Sequence, residues 1–228
     1  MEPIIEDAIA YVQAVFREDF SGHDAYHTLR VYRTAVALAQ MEQANIRLTA
    51  LAALLHDVDD RKLSPETAAG KDRATRFLQR HQVPQEEISA ICTIIDQVSF
   101  KGVDSQIPTT PEGKCVLDAD WLDALGAIGI ARTFAYGGSR GRAMYDPEEP
   151  PCLSMGAEEY GKRASTSINH FYEKLLLLKD MMNTQAGRLV AEKRTAMMQQ
   201  FLDAFFAQWD GADVTDTGME EIHEHKLL

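Results

Sequence analysis

The sequence predicts an all-α fold, a helical bundle of about seven to nine helices. Hydrophobic residues recur at the three- and four-residue spacing of helices, whereas strand-like alternation is nearly absent. With 228 residues, 45% of them hydrophobic, the chain is long enough to bury a sizeable core. We therefore expect a single domain over residues 1–210, followed by a polar C-terminal tail over 211–228 that frays.

The helical period is interrupted at several points, and some of the resulting segments begin at residues that favour a helix N-terminus. Thr49, Ser64 and Pro84 are such starting points. In 136–156, Gly and Pro residues punctuate a long connection, which predicts either a substrate loop or a plain insertion. The predicted helices cover 4–18, 24–43, 47–58, 66–81, 85–98, 112–124, 157–182 and 186–209.

Charge and composition limit the classes of partner. A net charge of −12 argues against a nucleic-acid polymer, since phosphate neutralisation needs a basic surface. It does not exclude a small phosphorylated ligand, because a metal ion and a few local cations can reverse the potential within one cleft. The apolar runs near the N-terminus are short, so we expect neither a signal peptide nor a membrane span. Cysteines without CxxC spacing favour a cytoplasmic protein, and a homodimer is the default expectation.

Two imidazoles and a carboxylate lie at the edge of apolar helical segments. His27 lies beside the apolar stripe of the second predicted helix, and His56 and Asp57 follow directly after the apolar run 48–55. Taken singly, they fit a hydrogen-bonded core histidine and a solvated acidic turn. Together they are costly to bury unless paired or bound to a metal. Since a helix C-terminus disfavours carboxylates, a bound cation would also stabilise Asp57.

A third segment adds further carboxylates. Asp118, Asp120 and Asp123 lie in the otherwise apolar helix 112–124. Asp120 and Asp123 share a face, whereas Asp118 and Asp120 point in different directions, so one or two of the three can reach a common site. Two imidazoles and two carboxylates suit Mn²⁺, Fe²⁺, Co²⁺, Ni²⁺ or Zn²⁺ better than Ca²⁺ and leave positions for water and substrate. Such a ligand set is typical of a hydrolytic centre.

The ordered pattern of His27, His56-Asp57 and the ADWLDA run at 119–124 resembles the HD-domain superfamily of metal-dependent phosphohydrolases. The stretches GHDAYHTLRV, LAALLHDVDDRK, VSFKG and ALGAIGIARTFAYGG resemble a bacterial subfamily of small HD hydrolases, some of which are nucleotide pyrophosphohydrolases. The resemblance extends over nearly the whole chain and implies an all-α HD fold with one divalent ion. We expect Mn²⁺, with Ni²⁺, Co²⁺, Fe²⁺, Zn²⁺ and Mg²⁺ as the other candidates.

Carried over by position, the resemblance implies that His27, His56, Asp57 and Asp120 bind the metal. Asp118 is the fallback for the fourth ligand.

The resemblance also implies a catalytic acid or base. Asp60 falls where related nucleotidases keep an acidic residue that handles protons, and Asp59 is the alternative. Such a group would position the attacking water or protonate the leaving group, a contribution of roughly 10²- to 10⁴-fold. Trp121 departs from the superfamily pattern, in which a basic residue is expected.

Basic residues are candidates to hold the phosphates, because guanidinium forks match phosphate geometry. Arg30 is the best placed, one turn after His27 on the same helix face. For each candidate, an exposed solubilising charge is an equally good interpretation. In the last part of the chain, His170 and Lys174 share a helix face and either support the site or border the core. The substrate-binding candidates are Arg30, Lys62, Lys101, Arg132 and Arg140.

The predicted function is hydrolysis of a nucleoside or deoxynucleoside triphosphate to the monophosphate and pyrophosphate. One alternative is a phosphomonoesterase of the 5′-nucleotidase type, which would use the same metal with a different phosphate pose. The other is a non-catalytic HD module that binds a nucleotide or a protein. That module predicts unchanged ligand affinity after loss of the metal.

Overall fold

The structure of the protein is a computed structural model that describes residues 2–17, 24–59, 70–98, 107–153 and 165–215. Within these residues every regular element is a helix, which confirms the all-α prediction. In chain order the elements are α1 (Pro3–Val15), α2 (Ala25–Met41), α3 (Ile46–Leu55), α4 (Asp72–Arg80), α5 (Gln85–Val98), α6 (Pro111–Asp123), α7 (Gly126–Ser139), α8 (Ser167–Glu173), a 3₁₀ helix (Leu175–Met181), α9 (Gln185–Trp209) and α10 (Ala212–Thr215).

Helix α3 lies at the centre of the bundle. All its residues from Thr49 to Leu55 are buried, and α1, α2, α5 and α6 pack around it, as expected for a helix that is apolar on every side. Asn45 begins the helix by accepting a hydrogen bond from the Leu48 N–H. Thr49, the predicted start, lies one turn inside and donates its hydroxyl to the Asn45 carbonyl. The chain therefore leaves the middle of the core at His56.

Helices α2 and α6 pack against each other and against α3. Asp24 caps α2 by accepting a hydrogen bond from the His27 N–H at 2.7 Å, which puts His27 in the first turn. Thr110 caps α6 through the Gly113 N–H at 3.1 Å, and this helix ends at Asp123. The His27 and Asp123 side chains are in contact. The start of α2, the end of α3 and the end of α6 therefore converge.

A second junction joins α6 to the start of α9 through Asp118, which is fully buried. Its carboxylate accepts hydrogen bonds from the backbone N–H groups of Asn183 and Thr184, at 2.9 and 2.8 Å to the nearer oxygen. The Asn183 amide and the Thr184 hydroxyl donate to it as well, at 2.9 and 2.7 Å. A β-carbon at Gly187 would lie 2.4 Å from Asp118 Oδ2, so only glycine fits there. Asp118 thus fixes the position of α9.

Helix α7 (Gly126–Ser139) is absent from the predicted helices, and the predicted long connection 136–156 is wrong at its start, because α7 continues to Ser139. The glycine that suggested a loop is a close-packing position: a β-carbon at Gly137 would lie 2.3 Å from Ser167 Oγ. Burial against the 165–168 segment thus outweighs the low helix propensity of glycine. The connection begins at Arg140, and 154–164 lie outside the described residues.

Two other predicted helices differ from the structure. The segment 157–182 contains α8 and a separate 3₁₀ helix, and the break falls at Lys174, whose φ and ψ of −141° and −58° are not helical. In 66–81 the described helix begins at Asp72, and 66–69 lie outside the described residues.

Within the described residues, the helices are too short or too polar to cross a lipid bilayer. The division between a domain at 1–210 and a tail at 211–228 stays a prediction. Helix α9 ends at Trp209, and residues 216–228 are outside the described part of the chain.

Candidate metal centre

The convergence of three helix ends brings four predicted metal ligands together. His27 Nε2 lies 3.5 Å from Asp57 Oδ2 and 3.3 Å from Asp120 Oδ1. His56 Nε2 lies 3.3 Å from the same Asp57 oxygen. Donor atoms of His27, His56 and Asp57 all lie within 4.8 Å of one another, and Asp120 joins this group through His27. The four side chains form what we call the metal centre.

These distances fit a shared cation better than direct hydrogen bonds. Neighbouring ligands of an ion with bonds of about 2.1 Å are separated by about 3.0 to 3.4 Å. Charge-assisted N–H···O hydrogen bonds are typically shorter, about 2.7 to 2.9 Å. Among the described residues, the buried Nε2 of His56 makes no hydrogen bond. Its Nδ1 lies 2.8 Å from the Ala53 carbonyl, and if Nδ1 carries the proton, Nε2 presents its lone pair to a metal.

Asp123 holds His27 from the opposite side of the ring. His27 Nδ1 lies 2.8 Å from Asp123 Oδ2, the arrangement by which a carboxylate orients a metal-binding imidazole. The same carboxylate accepts two hydrogen bonds from Arg30, at 2.6 and 2.9 Å, and one from Arg132 at 2.7 Å. Burial alone would raise the pKa of Asp123, but His27, Arg30 and Arg132 hold it well below its usual range. Asp123 is therefore an ionised anchor beside the metal centre.

The carboxylates of the site favour positive charge at the imidazoles. Burial alone lowers the pKa of His27, but Asp120, Asp123 and Asp57 outweigh it and raise this pKa well above its ordinary value. The pKa of His56 is also raised, since Asp57 and Asp120 outweigh the effect of burial. A field that retains a proton at these nitrogens also attracts a divalent cation, which competes with that proton.

Two predicted candidates are engaged elsewhere. Asp118, the fallback ligand, directs both oxygens to Asn183 and Thr184 at the start of α9. Asp59 accepts hydrogen bonds from the N–H groups of Arg73 and Ala74, at 3.2 and 2.9 Å, and so caps α4. The structure thus gives both carboxylates positions that stabilise helix starts, which favours Asp120 over Asp118 as the fourth ligand.

The basic candidates fall into three groups. Arg30 and Arg132 lie beside the metal centre, where Asp123 binds both guanidinium groups. Arg140 lies at the far end of α7, with its Cζ 5.5 Å from the centroid of the Tyr136 ring. The catalytic candidate Asp60 and the basic candidates Lys62 and Lys101 lie outside the described residues.

The role of Asp123 was missed by the sequence analysis. Its spacing of three from Asp120 showed a shared helix face, which was the available signal. The contacts that define it reach back to α2, 93 and 96 residues earlier in the chain. Trp121, at the departure from the superfamily pattern, packs against the hydrophobic core.

Comparison with protein families identifies the central part of the chain. Residues 24–125 match the family model described as HD domain. This range contains α2, α3 and α6, the three helices whose ends form the metal centre.

Similarity to individual proteins extends over nearly the whole chain. A solved structure from Lactobacillus plantarum is 40% identical with a TM-score of 0.79, covering 92% of this chain and 98% of that one. An HD-superfamily hydrolase from Bacillus thuringiensis is 44% identical with a TM-score of 0.71, covering 90% and 96%. YpgQ of Bacillus subtilis (strain 168) is 35% identical over 199 residues, which are 86% of this chain and 89% of YpgQ. The crystal structure of YpgQ in complex with ADP has a TM-score of 0.70 at 33% identity, covering 88% and 95%.

Proposed function

This chain belongs to the HD-domain superfamily of metal-dependent phosphohydrolases, and from that premise we propose that it hydrolyses nucleoside or deoxynucleoside triphosphates to the monophosphate and pyrophosphate. The observation that carries the proposal is the convergence of two imidazoles and two carboxylates next to Arg30 and Arg132. A divalent cation and guanidinium groups together stabilise the negative charge that develops during phosphoryl transfer.

Different residues of the chain would hold the metal and orient its ligands. His27, His56, Asp57 and Asp120 would hold the ion, for which we propose Mn²⁺. Once bound, it would polarise a phosphoryl oxygen and lower the pKa of a coordinated water. Asp123 keeps the His27 ring in place by accepting from its Nδ1.

Two further groups would act on the substrate and the proton. Arg30 and Arg132 are tied to Asp123 by some of their N–H donors, and the Arg30 guanidinium has further donors to offer a phosphate. Because Asp59 caps α4, we assign the proton-handling role to Asp60, the next residue in the chain.

Support for a nucleotide substrate comes from a relative. YpgQ of Bacillus subtilis was crystallised in complex with ADP, and that structure matches 88% of this chain. ADP is a nucleoside polyphosphate, the chemical class that we propose here. The net charge of −12 disfavours nucleic-acid polymers, whereas the arginines beside the metal centre suit a small phosphorylated ligand.

The test incubates the purified full chain with Mn²⁺ and a panel of ribo- and deoxyribonucleoside triphosphates and monophosphates, measuring pyrophosphate and orthophosphate separately. We expect equal amounts of monophosphate and pyrophosphate from triphosphates. This activity should be lost in Asp57→Ala and retained in Asp203→Ala, an exposed aspartate on α9.

Other products would replace the proposal with one of the alternatives. Orthophosphate released from monophosphates would identify a phosphomonoesterase. Nucleotide binding without turnover, with the same affinity in Asp57→Ala, would identify a non-catalytic module.

A further inference from the structure

We propose that Arg140 and Arg142, held against the Tyr136 ring at the end of α7, form a binding site for the β- and γ-phosphates of the substrate and for the pyrophosphate that leaves. We call these three side chains the arginine clamp. The inference rests on the proposed function, because it assigns the part of the substrate that lies beyond the bond to be cleaved. In addition to the metal centre, the clamp would give the protein a group that discriminates triphosphates from monophosphates.

Two guanidinium groups share one aromatic ring in the clamp. Arg140 Cζ and Arg142 Cζ lie 5.5 and 5.9 Å from the centroid of the Tyr136 ring, both within cation–π distance. In the part of the chain that the structure describes, neither guanidinium forms an ion pair. Tyr136 is 44% exposed, so the clamp is open to solvent. Two positive charges gathered at one accessible point are suited to a polyanion.

The backbone determines where the two arginines lie. The Arg140 N–H donates to the Tyr136 carbonyl at 3.2 Å, and the Arg142 N–H donates to the Gly137 carbonyl at 2.8 Å. Between them Gly141 adopts φ +65°, a left-handed conformation that turns the chain back toward the helix. Both arginines are therefore brought to one ring by the fold of the turn.

The geometry of α7 places the clamp on the helix face that leads to the metal centre. Arg132, Tyr136 and Arg140 are spaced four residues apart and share one face of α7. Arg132 is bonded to Asp123 at the metal centre, at 2.7 Å. Helical side chains lean toward the N-terminus, so Arg140 reaches back over Tyr136 in the direction of Arg132. Eight residues of helix span about 12 Å, a distance that two arginine side chains and a phosphate chain together can bridge.

Local electrostatics agrees with this placement. Burial, together with the charges of Lys174 and Arg142, lowers the pKa of the neighbouring His170 to about 3. The region around Arg142 is thus a locus of positive potential in a chain whose net charge is −12. Anions are attracted to such a region in preference to the surrounding acidic surface.

The chemistry of the clamp favours phosphates over a base. Planar guanidinium forks donate paired hydrogen bonds to phosphate oxygens, whereas a stacking base would need the Tyr136 ring that the arginines already contact. In cleavage between the α- and β-phosphates, the α-phosphate must lie at the metal. A monophosphate bound in this way has no further phosphate that could reach the clamp, whereas a triphosphate has its β- and γ-phosphates.

The experiment compares the wild type with the double variant Arg140→Gln/Arg142→Gln at one fixed Mn²⁺ concentration. The matched control is Arg17→Gln/Arg33→Gln, which removes two exposed arginines elsewhere and changes the net charge equally. We measure KM and kcat for triphosphates, inhibition by pyrophosphate and by monophosphate, and calorimetric binding of inorganic pyrophosphate to the full chain. Circular dichroism and thermal melting report folding.

The clamp variant should raise KM for triphosphates and weaken pyrophosphate inhibition roughly 10- to 100-fold, with kcat and monophosphate inhibition little changed. Its pyrophosphate affinity should fall by a similar factor, and the control should behave as wild type. Unchanged pyrophosphate affinity, an equal loss in the control, or an equal loss for monophosphate would overturn the inference. Because pyrophosphate binding is measured without turnover, a wild type that binds pyrophosphate but cleaves no triphosphate would contradict the proposed function and leave the clamp assignment standing.

Discussion

Helix α6 contributes carboxylates to two regions that use them in opposite ways. At the junction with α9, Asp118 is surrounded by N–H and O–H donors from Asn183 and Thr184. At the metal centre, Asp57 and Asp120 face imidazole nitrogens at 3.3 to 3.5 Å instead. The first region satisfies a negative charge completely within the protein. The second assembles negative charge and lone pairs around one point, which is what a cation requires.

Burial alone therefore does not identify a metal ligand. Asp118 is more deeply buried than Asp120, whose side chain is 30% exposed, yet Asp118 is bonded to the start of α9 and Asp120 faces His27. What distinguishes the two is the chemistry of the neighbouring atoms. Donors around a carboxylate indicate a fold-stabilising anchor, whereas other potential ligands indicate a metal site.

The largest expected effect is at the metal centre. Asp57→Ala should lower phosphohydrolase activity by about 10³-fold or more, because it removes a proposed ligand of an ion that would supply several kcal/mol of transition-state stabilisation. Metal content after dialysis should fall with it, while the melting temperature of the metal-free protein changes little. Asp203→Ala serves as the control, measured by the same assay and by elemental analysis. Full metal content in Asp57→Ala would remove this residue from the ligand set.

The opposite pattern is expected at the α9 junction. Asp118→Ala leaves the Asn183 and Thr184 donors buried without their acceptor, so the free energy of unfolding should drop by about 3 to 5 kcal/mol. The folded fraction should still bind one ion per chain. Urea unfolding followed by circular dichroism measures the first quantity, and metal titration at low temperature the second. A stable Asp118→Ala protein that has lost its metal would reverse the comparison.

Asp123 lies between the two extremes, because it is next to the metal centre and its carboxylate is bonded to His27, Arg30 and Arg132. Asp123→Asn keeps the shape and removes the charge. We expect a loss of roughly 10- to 100-fold in metal affinity, in activity, or in both. Excess Mn²⁺ should restore the activity that is lost through incomplete metal binding. It should not restore the activity that is lost because Arg30 and Arg132 are displaced. Metal titrations and kinetics at several Mn²⁺ concentrations separate these two parts, and wild-type behaviour at every concentration would refute the anchoring role.

The smallest expected effect concerns His170, whose pKa is lowered to about 3 where that of His27 is raised. Since His170 is neutral in the folded state, its contribution to stability is complete above the unfolded pKa of about 6.5. It is lost progressively as the pH falls from there toward the folded value. His170→Gln should therefore reduce the loss of unfolding free energy between pH 7 and pH 5 by about 2 kcal/mol. Urea titrations at the two pH values test this, and parallel pH dependence in both proteins would contradict it.

Local sequence patterns were sufficient to predict much of the fold and to propose most residues of the candidate site. The apolar pattern of α3 predicted a buried helix. The abrupt change from Leu55 to His56 and Asp57 predicted the point at which polar groups meet the core. Helix α7 was not predicted, because glycines such as Gly137 lower helix propensity; in the structure the helix packs against α9, and Gly137 lies against Ser167.

The choice between Asp118 and Asp120 depended on a segment far along the chain. Both residues lie in one buried helix, and spacing alone left the fourth ligand open. Asn183 and Thr184, 65 and 66 residues later, engage Asp118 and leave Asp120 facing His27. The anchoring role of Asp123 likewise depends on the packing of α2 against α6, which local periodicity does not encode.

The most direct test of the central claim is a crystal structure of the full chain with Mn²⁺, with data collected at the manganese absorption edge. We expect one anomalous peak per chain, within bonding distance of His27 Nε2, His56 Nε2 and carboxylate oxygens of Asp57 and Asp120. A peak bound elsewhere, or coordinated by Asp118 in place of Asp120, would contradict it.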